Sequence, residues 1–159
     1  MLRTAKVYLE TTIFNYYFDV ERDAHADTVR LFDEIKAGKY QVFTSIYAVN
    51  EIMQAPKEKR DKMTALIDEY AITVLESKEE VVQLAQIYLQ QGVIPRSSIV
   101  DSLHIATAAV YDLDMIISLN FRHIVRKKTV ELTALINSSQ NYGKVDIYSP
   151  MEVVDREET

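Results

Sequence analysis

The chain has 159 residues, of which 48% are apolar and 26% charged, with a formal net charge of −6, three glycines and no cysteine. That length suffices for a hydrophobic core without covalent staples, and the composition is that of a folded chain rather than a disordered one. The missing cysteines exclude disulfides, thiolate nucleophiles and zinc–thiolate sites, and the acidic balance argues against a protein that coats nucleic acid by bulk attraction.

In chain order, residues 5–10 read as a first strand closed by Glu10, and residues 11–18 follow it without a single charge. Asp23 opens a helix to Ala37, with Gly38 as its stop signal. Residues 40–44 are strand-like, a helix covers 45–54, and another covers 56–70 with Pro56 suited to its first turn. A third strand spans 71–75. Ser77 and Glu80 have the spacing of a capping box for the next helix, which Gly92 and Pro95 end. Residues 98–111 are helical, 115–119 form a continuously apolar strand, and a short helix follows Asn120. A helix near 130–140 and a strand at 145–148 complete the pattern. Strands separated by helices predict one α/β domain over 1–159, a three-layer α/β/α sandwich on a mainly parallel sheet. No linker, repeat or low-complexity segment interrupts it, no apolar run reaches the ~18 residues of a membrane span, and the first residues do not read as a signal peptide. A cytoplasmic location is expected.

The scattered glycines, Gly38, Gly92 and Gly143, exclude a dinucleotide-binding turn and a P-loop, and neither a nucleophile elbow nor the paired histidines of metalloproteases is present. His25, His104 and His123 do not form a metal cluster by spacing and are expected to be structural or surface residues. In a parallel sheet, sites form beyond the carboxyl ends of the strands, which directs attention to Glu10. Glu10 is the only acid before residue 19, although an acid at a strand end can also be ordinary. Glu51 shares a narrow polar arc with Asn50 and Gln54 on an otherwise apolar helix, and that arc faces either water or a cleft. Asp101 is the one formal charge between Ser98 and Tyr111 and points away from the stripe of Ile99, Leu103, Ala106 and Val110. Such a carboxylate needs a cation or donors, unless it serves as a capping-box partner of Ser98. Asn120 suits an N-cap and also stands at a strand end, beside the basic window of Arg122, Arg126, Lys127 and Lys128. From charge alone, that window reads first as a solvated helix face.

Taken together, VYLETTIFNYYF, the helical Glu51, DSLHIATA around Asp101 and IISLNFRHI resemble the PIN-domain nucleases, including toxin ribonucleases of the VapC type. The resemblance covers nearly the whole chain in order and spacing. It implies that Glu10, Glu51 and Asp101 bind Mg2+ or Mn2+, with Asn120 as the fourth polar position and Thr11 and Ser118 as supporting hydroxyls. It implies RNA as substrate, held by the basic window, together with a homodimer and a cognate antitoxin protein. Two positions depart from the family pattern: Glu10 stands where aspartate is usual and is one methylene longer, and Asn120 offers a neutral amide where a second acid is frequent. Those departures define the alternative, a weakened module that binds RNA or a protein partner without cutting. A metal-dependent phosphatase on another α/β fold is disfavoured, because no aspartate nucleophile with an acid two residues later follows the first strand.

Overall fold

The computed structural model describes residues 3–155, so the expected span of 1–159 extends past the described residues at both ends. β1 (Ala5–Leu9), β2 (Tyr40–Ser45), β3 (Thr73–Leu75), β4 (Met115–Ile117) and β5 (Asp146–Tyr148) pair in parallel in the order β3-β2-β1-β4-β5. Successive side chains of a strand point to opposite faces, and here both faces are covered. Val7 and Leu9 of β1 enter one core while Tyr8 enters the other; Ile117 and Ile116 of β4 divide in the same way.

The first core is closed by α1 (Thr11–Tyr16), α2 (His25–Lys36), α3 (Ile46–Met53) and α4 (Lys57–Glu69), through Phe14, Phe32, Ile52 and Leu66. The second is closed by α5 (Glu79–Gln90), α6 (Ile99–Val110) and α7 (Lys127–Ser139), through Leu84, Tyr88, Ile105 and Ile136. The result is the α/β/α sandwich that the sequence predicts. From β1 the chain steps outward to β2 and β3, then returns to the other flank of β1 as β4. The carboxyl ends of β1 and β4 therefore border the crevice where the connections diverge, the place where open parallel sheets bind ligands.

Several local expectations change. The uncharged run after Glu10 forms α1, with Glu10 itself as the N-cap. The capping box of Ser77 and Glu80 does not form: Lys78 occupies the N-cap of α5, and the Ser77 hydroxyl bonds the Tyr47 hydroxyl instead. A capping box closes at Ser149 and Glu152 around α8 (Pro150–Val153), an element absent from the sequence reading. No helix follows Asn120 directly. The Asn120 carbonyl accepts from both Ile124 and Val125, and Arg126 is extended, so residues 121–126 form turns and α7 starts at Lys127. Gly38 ends α2 as expected, at a φ of 86° that favours glycine.

Asp114, at the entry to β4, accepts the Lys6 backbone N–H at 2.7 Å and two guanidinium nitrogens of Arg3 at 2.9 and 2.5 Å. The Arg3 hydrogen bond chiefly holds its carboxyl below the usual carboxylate range. Arg3 lies on the surface, where solvent screens its charge. Asp114→Ala is expected to lower the unfolding free energy in urea by about 1–2 kcal/mol at neutral pH, through loss of the charge-assisted bond to Lys6. A depressed folded-state pKa stabilises above the unfolded value of about 3.9 and stops doing so as pH falls through the folded value. Wild type and variant should converge in acid; a gap that stays constant to low pH would contradict the assignment.

Candidate functional site

Glu10 leaves β1 with extended backbone and folds its carboxylate over the first turn of α1. Oε2 accepts the Thr12 backbone N–H at 3.2 Å, and Oε1 accepts the hydroxyls of Thr12 and Ser118, each at 2.5 Å. Only 3% of the residue is exposed. Burial pushes the carboxyl up, and the charge of His104 with the donors of Ser118 and Thr12 offsets this in part, leaving it above the ordinary value. The same hydroxyls tie the strand ends together: Thr12 Oγ1 accepts from Leu119 N at 2.8 Å, and Ser118 Oγ from Asn120 N at 2.9 Å.

Glu51 reaches toward Glu10 from α3. Thr11 donates to its Oε1 at 2.6 Å, and His104 Nε2 lies 2.7 Å from the same oxygen. Burial raises the Glu51 carboxyl, but the His104 and Thr11 interactions outweigh it and hold the group below its ordinary value. The side chain is 36% exposed and lines a cleft of about 440 Å³. Of the polar arc of α3, Glu51 and Gln54 line the cleft, whereas Asn50 is exposed outside it. His104 rises from α6 and is wholly buried, with Nδ1 2.5 Å from the Tyr8 hydroxyl, which is 2.7 Å from Ser45 Oγ. Burial alone would lower the imidazole pKa; the Glu51 bond and the carboxylates of Glu10, Glu51 and Asp101 overcome it and raise the group.

Asp101 lies in the first turn of α6, 17% exposed. Its Oδ1 accepts Asn120 Nδ2 at 3.1 Å, and His123 Nδ1 lies 2.8 Å from Oδ2. Ser98 makes no side-chain cap bond, so the capping-box account of Asp101 is not realised. Asn120 caps a turn rather than the helix expected of it, accepting His123 N at 3.0 Å, while its amide donates to Asp101. His104 and His123, which the sequence reading expects to be structural or surface residues, are part of the network. The signal for His104 was present: three residues after Asp101 on one helix, it must share that face.

Glu10, Glu51, Asp101 and Asn120 all line the one cleft, with Thr11 and Thr12. Among the described residues, Glu10, Glu51 and His104 offer ligand atoms that all lie within 4.8 Å of one another. Ligands at about 2.0–2.2 Å on opposite sides of one ion are about 4.2 Å apart, so this donor set fits a divalent cation in size as well as charge. Asp101 stands outside that group of three, both oxygens held by Asn120 and His123. The basic window does not line the cleft; Lys59 of α4 does. Arg122, Lys127 and Lys128 are exposed, whereas Arg126 turns inward to Val93 O at 2.7 Å and Thr129 Oγ1 at 2.8 Å.

The family model for the PIN domain matches residues 7–128. Among solved structures, the chain is similar to VapC20 of Mycobacterium tuberculosis, a sarcin-ricin loop cleaving toxin, at 16% identity over 69% of this chain and 86% of that one, with a TM-score of 0.55. It is similar to VapBC2 of Rickettsia felis, bound to a DNA fragment from its promoter, at 11% identity over 91% of this chain and 98% of that one, with a TM-score of 0.57. At these identities the likeness is one of fold. No curated protein matches the sequence.

Thr12→Val should weaken the join between the ends of β1 and β4, because Glu10 loses a donor and Leu119 N–H its acceptor. A loss of about 1–3 kcal/mol in chemical unfolding is expected, the cost of leaving part-buried polar groups unmatched. A variant as stable as wild type would remove Thr12 from this role.

Proposed function

We propose, from the premise that the chain belongs to the PIN-domain family, that it is a divalent-metal-dependent endoribonuclease and the toxin of a toxin–antitoxin pair. The observation that supports this most is the convergence of Glu10 and Glu51 at the end of the central strand, on one cleft with Asp101 and Asn120. These four residues would hold Mg2+ or Mn2+. Such a cation, when bound, acidifies water and offsets charge on a phosphodiester.

The chain's own groups do the remaining work. Thr11 and Ser118 fix the Glu51 and Glu10 carboxylates by donating to them. Asn120 and His123 fix Asp101 from two sides. Lys59 brings a cation to the cleft wall for a backbone phosphate, and Arg122, Lys127 and Lys128 attract the flanking strand without reading bases. Arg126 joins them as the member that braces the turn. The chain acts as a single unit over 1–159, located in the cytoplasm, as a homodimer whose acidic cleft a cognate antitoxin covers. The fold shared with VapC20 and VapBC2 supports the toxin role, and no helix among the described residues is long and apolar enough to cross a membrane.

Purified protein should cleave RNA with Mn2+ or Mg2+ and stop on chelation. Glu51→Gln and Asp101→Ala should each reduce the rate by at least about 100-fold, the scale on which removing one preorganised charge-stabilising group acts, with circular dichroism unchanged. Equal metal-dependent rates for Asp101→Ala and wild type would remove Asp101 from catalysis. RNA binding with no cleavage at millimolar metal would favour the binding-module reading.

A further inference from the structure

We propose that His104 is a nitrogen ligand to the metal in this cleft, with Tyr8 and Ser45 positioning its ring, so that the site selects a first-row transition ion over Mg2+. The proposal rests on the metal-dependent reading above and departs from the oxygen-only donor set that the family resemblance implies.

Three observations carry it. The first is placement. His104 Nε2 lies 2.7 Å from Glu51 Oε1, and both atoms lie within 4.8 Å of a Glu10 oxygen. Neighbouring ligands about 2.1 Å from one ion stand about 3 Å apart, so the side chains need little rearrangement to share a cation. The second is orientation. A histidine that binds metal through one nitrogen almost always has the other held by a hydrogen bond, which fixes ring direction and tautomer. Here Nδ1 is 2.5 Å from the Tyr8 hydroxyl and that hydroxyl is 2.7 Å from Ser45 Oγ, while Tyr8 also meets the imidazole edge-on at 5.6 Å. Ser45 in turn caps α3, the helix that carries Glu51. One relay thus sets the position of both ligands.

The third is chemical fit. A neutral ring that directs its Nδ1 proton at the Tyr8 oxygen would present its Nε2 lone pair toward Glu51 and Glu10, and would leave Tyr8 to donate to Ser45. Within the group of Glu10, Glu51 and His104, two carboxylates and a neutral imidazole match the charge of a 2+ ion. Mg2+ demands hard oxygen donors and gains little from imidazole, whereas transition ions accept it readily. A histidine that only clamped Glu51 would do so equally for either metal.

The test uses Mn2+ as a spectroscopic probe on the full chain. Spin-echo modulation of bound Mn2+ should show a directly coordinated nitrogen in wild type, and calorimetry should give Mn2+ at least about tenfold tighter than Mg2+. His104→Gln should abolish the nitrogen signal and weaken Mn2+ by at least about tenfold, with Mg2+ affinity nearly unchanged. Tyr8→Phe should retain the nitrogen signal while weakening Mn2+ about 10–100-fold, as loss of an outer partner does. If His104→Gln does not fold, the wild-type spectrum and Tyr8→Phe decide. Bound Mn2+ without nitrogen coupling, or equal losses for both metals in His104→Gln, overturns the ligand assignment and leaves the nuclease reading intact. Failure of wild type to bind Mn2+ or Mg2+ at millimolar concentration overturns both.

Discussion

Glu10 is a carboxylate taken almost completely out of water at the end of the central strand, and the arrangement around it answers that cost. Isolated, such a group would be driven to its neutral form. Instead it draws three donors, two from α1 and one from the turn after β4. Because Thr12 and Ser118 also accept backbone N–H groups beyond β4, satisfying the acid fixes the two central strands against each other at their carboxyl ends. The crevice created by the reversal of strand order thereby acquires rigid walls.

Around that centre the polar side chains divide into two linked sets. Glu51, His104, Tyr8 and Ser45 form one, running from α3 through α6 to β1 and β2. Asp101, Asn120 and His123 form the other, joining α6 to the turn after β4. Both sets pass through α6, where Asp101 and His104 share a face, and Glu10 joins the second through Ser118 and Asn120. Among the described residues no buried side-chain polar atom lacks a partner, so the geometry of each acid is determined by neighbours that are themselves determined.

The layers of the fold were legible because they depend on local patterning: the apolar run at 115–119, of which Met115–Ile117 is strand, a glycine stop at Gly38, helices of suitable length between strands. Asp101 was legible as the lone charge of an apolar helix. Glu51 was not resolved by its own helix, since a polar arc looks the same whether it borders water or a cleft, and only packing against α6 decides. His104 and His123 were missed because their partners lie 53 and 22 residues away. At the failed capping box a distant group takes the hydroxyl. The Tyr47 hydroxyl took Ser77 from its capping box, and the inward bonds of Arg126 to Val93 and Thr129 accompany the extended backbone that separates the turn from α7. α1 carried no signal of the usual kind because its cap is a glutamate, outside the residues that normally begin helices.

The bond from Ser118 to Glu10 spans 108 residues of sequence, and every strand pairing in the sheet is likewise a parallel crossover with no hairpin to form early. A chain emerging from the ribosome carries Glu10, Thr12 and Glu51 long before it carries Ser118, the third donor to Glu10, and Asn120 arrives after it. On the nuclease reading, the cutting centre is therefore among the last parts of the molecule to be assembled during synthesis. The polar cluster around the cleft is complete only when about three quarters of the length has been translated and the fourth strand has docked.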